Sequence, residues 1–448
     1  MSREKKYEID MCNGSIMDKL ISFALPLMLS GMLQLMFNAV DIVVVGRFSG
    51  SQSLAAVGAT TALIYLFTNL FIGISLGANV LAARYYAAGK HEEMSETVHT
   101  AMMFALISGI IMIFVGLFFS RLALEIMGTP SDVIDQATLY MRIYFLGMPF
   151  FMLYNYGAAI LRAVGDTKRP LIFLIISGAV NACLNMLLVI VFHLDVAGVA
   201  IATVTSQFIS CVLVIGCLYR TKSSYQLRFS RLKIRKEYLK PICQVGIPAG
   251  IQSTVINFSN ALLQSSVNSF GSTTMAGYTA ANNIFGFLYV SVNAITQACM
   301  SFTSQNYGLR KLKRMDKILI DCLILTVVVS LVLGGGGYLF GAEILRLYTE
   351  EAEVIRCGIE IFAYTTVTYF LCGIMDLFPG ALRGMDRSTV PMILSVIGTV
   401  GTRIVWVFWL FPAHRSLAFL FISYPASWLI TIAMQVICFY LVRRKVHG

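Results

Sequence analysis

The constraint that outweighs every other in this chain is a succession of apolar runs, each about 20 residues long and separated by short charged stretches. That is the length an α-helix needs to cross a ~30 Å hydrocarbon core, where every backbone N–H and C=O must be satisfied within the segment. A closed β-barrel meets the same demand with ~10-residue alternating strands, a pattern this sequence does not show. Twelve helical spans are expected, at about 19–45, 54–80, 96–120, 137–161, 170–192, 196–219, 241–269, 277–302, 316–342, 357–382, 390–412 and 416–441. Composition agrees: 57% of the 448 residues are hydrophobic and 13% are charged, against about 25% charged in soluble domains. The predicted fold class is an all-α integral membrane protein with twelve transmembrane helices.

The opening MSREKKYEIDMCNGSIMDK is polar, with no early apolar stretch and cleavage site, so no signal peptide is expected. Ten scattered cysteines without a CxxC pair read as small apolar residues. His91, His99, His193, His414 and His447 sit at span ends or loops and form no ligand or nucleophile–base pattern. Neither an enzyme nor a metal or other cofactor is expected.

The net charge of +11 would suit nucleic acid, but its distribution argues for topology instead. Of 34 Lys and Arg, 27 fall on one side of the predicted spans, with the N-terminus, the 220–240 run, Arg310–Lys317 and the tail. Such a bias predicts both termini in the cytoplasm of a multi-pass protein of the cell (inner) membrane. The opposite side holds the acidic 343–360 segment. The lipid bilayer is thus an expected partner and nucleic acid is not.

The chain also repeats itself. A shift of about 221 residues lays LRAVGDTKRP (161–170) on LRGMDRSTVP (382–391), and one more residue sets Pro26 on Pro248 and Asn38 on Asn260. The expected organisation is a six-helix bundle at 1–219, a basic cytoplasmic linker at 220–240 and a second bundle at 241–448. Both halves start on the same side, so the pseudo-two-fold axis relating them is expected to run along the membrane normal. Paired bundles of this kind suit transport by alternating access.

Ionisable groups within a membrane are costly unless paired or wet, and therefore point to function. Ser30, Gln34, Asn38 and Asp41 follow helical spacing and share one face of the first span. Desolvation favours the protonated form of a carboxylate, so Asp41, with Asn38 and Gln34, is a candidate coupling site for a proton. Carboxylate and amide oxygens suit a sodium ion equally. Pairing with Arg47 is the plain structural alternative. Pro26 removes a helical hydrogen bond and is the candidate hinge. Asp376, opposite Asn155 in the repeat, is read as an anionic cavity wall, or as a partner for the intramembrane Arg403. Amide-rich stripes containing Asn257, Asn260 and Gln264, then Asn282, Tyr289 and Asn293, extend the candidate cavity, as do Asn181, Asn185 and Gln207. Interhelical hydrogen bonding is the plain reading of these.

Taken in order, SFALPLMLSGMLQLMFNAVDIVVVGRFSG (22–50), LAAVGA (54–59), LAARYYAAGK (81–90), LRAVGDTKRP, NACLNMLLVI (181–190), AGVAIATVTSQ (197–207), GIPAGIQS (246–253), SQNYG (304–308) and LRGMDRSTVP resemble the multidrug and toxic compound extrusion (MATE) family over nearly the whole chain. The resemblance implies a secondary antiporter that exports organic cations or drugs in exchange for protons or sodium. It also makes Asp41 the cation-coupling residue and Pro26 the bending proline. The sequence departs from that family's branches at Ile256 and Asn185, where acidic residues stand in one branch or another. A flippase for lipid-linked precursors is the alternative, and basic residues lining the cavity would favour it.

Overall fold

Residues 7–346 and 350–447 are described by the computed structural model, in which helices predominate and no strand occurs among them. The first six residues of the polar opening, and 347–349 of the acidic segment, lie outside the described residues. The helices are α1 (Met17–Phe48), α2 (Gly50–Ala87), α3 (His91–Ile126), α4 (Ile134–Leu146), α5 (Met148–Ala163), α6 (Lys168–Asn185), α7 (Asp195–Arg220) and α8 (Lys236–Asn268). There follow α9 (Ser272–Gly308), α10 (Leu312–Leu339), α11 (Gly341–Arg346), α12 (Ala352–Thr365), α13 (Tyr369–Gly384), α14 (Thr389–Ser395), α15 (Thr402–Val405) and α16 (Leu417–His447).

Among the described residues nine helices are long and apolar enough to cross a membrane, and two bent pairs bring the number to 11. The remaining expected span is α8, whose 33 residues supply the length. Its amides at Asn257, Asn260, Gln264 and Asn268 make it too polar to be recognised by apolarity. The fold class is therefore all-α and membrane-spanning, as the run lengths require.

The repeat reappears in the distortions. α4 meets α5 at 47°, and α12 meets α13 at 47°. Pro149 enters α5 at its start and has no N–H to continue the ladder from α4. The second bend uses different chemistry: Thr365, Thr366 and Thr368 hydroxyls donate to the carbonyls of Ile361, Phe362 and Tyr364, a back-bonding that bends helices. Wide π-helical turns follow α6 at Met186–Val191 and flank α15 at Val396–Gly401 and Trp406–Leu410.

By packing, the chain forms two compact units: residues 1–10 with 29–250, and 11–28 with 251–448. The sequence places the division at the 220–240 run. In the structure two of the three boundaries fall inside long helices, just beyond Pro26 in α1 and just beyond Pro248 in α8, and the third lies between Asp10 and Met11 ahead of α1. The start of α8 belongs to the first unit because glycines let its backbone reach α2. A Cβ on Gly77 would strike the Ile242 carbonyl, and one on Gly73 the Gly250 backbone. The start of α1 belongs to the second unit, where Phe23 is fully buried and meets Phe302 edge-on at 5.6 Å.

The basic run is docked on the first unit by Tyr225 and Leu227, both buried. Backbone contacts add to this: the Arg228 N–H donates to His99 Nε2 at 3.0 Å, and the Thr100 hydroxyl donates to the Lys233 carbonyl at 3.4 Å.

Candidate functional site

In the first unit, α1, α2, α4, α5, α6 and α7 surround a pocket of about 360 Å³. Helical spacing carries Gln34, Asn38 and Asp41 down one wall of it, as the sequence stripe requires. Asn155, Asn181 and Gln207 line it as well. Six aromatic rings complete it: Phe37, Tyr65, Tyr140, Tyr144, Phe151 and Tyr154. Asp41 is the charged side chain among the lining residues. An acidic group in a wall of rings and amides presents both a carboxylate and π faces to a cation.

The partner of Asp41 is Asn185, whose Nδ2 donates to Oδ1 and also to Asn181 Oδ1 at 3.2 Å. Asn185 is fully buried and is the last residue before a π-helical turn. Thr203 of α7 lines the same pocket. No ion pair between described residues includes Asp41, so its alternative pairing with Arg47 is not formed. Tyr140 and Tyr144, one turn apart on α4, stack with centroids at 6.3 Å. Sequence reasoning missed these tyrosines, with Asn69, Thr203 and Ser206. Their signal was the i, i+4 spacing of Tyr140 and Tyr144, which apolar spans also produce by chance.

The candidates of the second unit lie outside this pocket. Asn257, Asn282 and Tyr289 are exposed, and Gln264 Nε2 donates to Asn268 Oδ1 at 2.9 Å. Asn293 accepts from Gln297 Nε2 at 2.7 Å. Asp376 is half-buried beside Tyr289 and Arg383. Arg383 donates to Gln252 Oε1 at 2.6 Å. The alternative pairing of Asp376 with Arg403 is not formed. Arg403 Nη1 instead donates to Asn260 Oδ1 at 2.7 Å and to Ser259 Oγ at 3.4 Å.

The MatE family model matches the chain twice, over residues 26–187 and 248–409. From 26 to 248 and from 187 to 409 the shift is 222 residues, so the duplicate found in the sequence is a pair of family modules, each beginning at a proline. The chain is 28% identical over 423 residues to the probable multidrug resistance protein YoeA of Bacillus subtilis, covering 92% of this chain and 91% of that protein. It is 21% identical to the multidrug export protein MepA of Staphylococcus aureus, covering 89% of this chain and 87% of that one. Among solved structures, it is similar to an outward-facing multidrug resistance MATE family transporter of the MOP superfamily, with TM-score 0.90, 19% identity and 98% of each chain covered. A MOP superfamily transporter from Pyrococcus furiosus, described as having a binding pocket of reverse polarity, matches with TM-score 0.90 and 20% identity, over 100% of this chain and 99% of that one. Its fold is thus that of two-bundle transporters, and with two matches that together span well over half its length, the chain belongs to the MatE family.

Proposed function

We propose that this protein is a secondary antiporter of the cell membrane, exporting organic cations in exchange for protons or sodium by alternating access. The observation that carries the reading is Asp41, a lone carboxylate in a pocket of amides and aromatic rings with no basic lining residue. Such a pocket attracts a cation, and the same carboxylate accepts the coupling ion. Binding of one then competes with binding of the other, which is the thermodynamic requirement for exchange. The names of the YoeA and MepA relatives support multidrug cargo. Pro26 supports a hinge, because the chain passes between compact units two residues beyond it. The charge bias supports cytoplasmic termini.

The test is efflux of ethidium from proteoliposomes under a proton gradient and, separately, a sodium gradient. Movement under one of them is expected and names the ion. No movement under either, with folded protein that flips a labelled lipid, would replace this reading with the flippase.

A further inference from the structure

The second unit holds a buried cation without a matching anion. Arg403 lies on the four-residue α15 between two π-helical turns and is 2% exposed. Its Nη1 is satisfied by two neutral groups, Asn260 and Ser259, and the Tyr424 ring covers the guanidinium at 4.6 Å. Its Nε, buried from solvent, has no acceptor. Other arginines near carboxylates differ: Arg169 pairs with Asp166, Arg235 with Glu96 and Arg443 with Asp316. No ion pair between described residues includes Arg403. A guanidinium keeps its charge even when buried, and holding it in a membrane interior with neutral partners alone is costly.

The repeat says what kind of place this is. Counted from the starts of the two family matches, Asn260 stands where the first unit has Asn38, and counted back from their ends, Arg403 stands where it has Asn181; the stretch between, with LRAVGDTKRP on LRGMDRSTVP, runs one residue shorter. Asn181 and Asn38 both line the pocket around Asp41. The count from the starts replaces Asp41 itself by Leu263. The second unit therefore carries the counterpart of a ligand wall with its charge inverted, and beside it π-helical turns of the kind that gather at functional sites.

We propose that Arg403, held by Asn260 and Ser259, is a subsite for a carboxylate group. The planar guanidinium offers Nε and a terminal nitrogen side by side, the pair that a carboxylate accepts from in bidentate fashion. Tyr424, half-buried and hydrogen-bonded at its hydroxyl to Tyr278 at 3.3 Å, covers the guanidinium, so a carboxylate reaches Arg403 only where this ring shifts. This inference rests on the export reading for its substrate but not for its test, which measures binding.

Rhodamine 110 is a flat cation with a free benzoate, and rhodamine 123 is its methyl ester. Their affinities for the purified full-length protein are read by fluorescence anisotropy. The wild type should hold rhodamine 110 about tenfold more tightly, as one charge-assisted contact implies. Arg403→Gln should remove that preference while leaving rhodamine 123 within about twofold. Arg403→Lys should keep part of it. Equal weakening of both dyes by Arg403→Gln would mark Arg403 as a structural rivet and overturn the proposal. So would a wild type that binds both equally or neither. If Arg403→Gln does not fold, the wild type decides: benzoate must displace rhodamine 110 and spare rhodamine 123, and equal displacement overturns the subsite. The export reading fails separately, if rhodamine 123 is bound yet moved by neither ion gradient.

Discussion

The two bundles share their distortions but not their chemistry. Each bends one span by 47° and each has a π-helical stretch in the following one. The first unit has a half-buried carboxylate held by an amide, Asp41 with Asn185, and the second, at a different position of the repeat, a buried guanidinium held by an amide, Arg403 with Asn260. Backbone geometry survives duplication because it serves packing that both copies need. Under the export reading proposed above, cation handling falls to the first unit, and Asp41 and Arg403 differ in both position and sign.

The largest effect should come from Asp41→Asn, which keeps the hydrogen-bonding shape but removes the charge. Gradient-driven ethidium efflux is expected to fall to the leak of protein-free vesicles, with the melting temperature of the purified protein unchanged. Persistent efflux in this variant would move the coupling site elsewhere and dissolve the asymmetry between the bundles. Asn185→Ala should do less: it deprives the carboxylate of one buried donor, a loss of about 1–3 kcal/mol. Half-maximal efflux should shift to a different pH or sodium concentration with the maximal rate largely kept. A variant matching wild type across the whole range would show that Asn185 does not tune Asp41.

The next contrast is between close backbone contact and looser side-chain contact. Gly77→Ala would push a methyl into the Ile242 carbonyl, where nothing flexible can yield. We expect a stability loss of about 3 kcal/mol, the upper end of overpacking costs, seen as a lowered melting temperature. Gly380→Ala in the second unit meets the Thr296 methyl at 2.8 Å and a backbone oxygen only at 3.2 Å, and should cost less. Equal melting temperatures for the two variants would mean that α8 does not depend on its glycine contact with α2.

Much of this was legible in the sequence. Run length gave the spans, since a bilayer fixes how many apolar residues a crossing needs. The repeat showed through shared spacings such as Pro26 and Pro248. The stripe Gln34, Asn38, Asp41 was legible because helical periodicity leaves one solution for which face they share. Less visible was the backbone register. An apolar run reads the same whether its turns are α or π, so the turns beside Asn185 and Arg403 leave no mark in composition. Prolines announce a kink, but not that α1 and α8 change units there, because that depends on which neighbours the two ends pack against. Partners across helices were the hardest to see. Arg403 was open to pairing with Asp376, the clear intramembrane carboxylate of the same half, whereas the structure gives it Asn260, an amide among many.

Asp376 provides the finest test of the asymmetry, because it is an acid in the unit that otherwise carries the unmatched base. Its repeat mate Asn155 lines the pocket and donates to the Phe151 carbonyl at 2.8 Å. Asp376 instead stands beside Arg383, which has Gln252 as a further acceptor. Two charges of opposite sign on one helix, seven residues apart, each offset part of the other's pull on a ligand. Asp376→Asn should therefore lower cation efflux by no more than about threefold, the scale of one intramembrane hydrogen bond at about 0.6 kcal/mol. Arg383 would then stand less compensated, and the loss should be partly restored by Arg383→Gln in the double variant, a coupling that a double-mutant cycle measures. Should Asp376→Asn alone abolish efflux as Asp41→Asn is expected to, both units would handle cations, and the division of labour drawn from Asp41 and Arg403 would not hold.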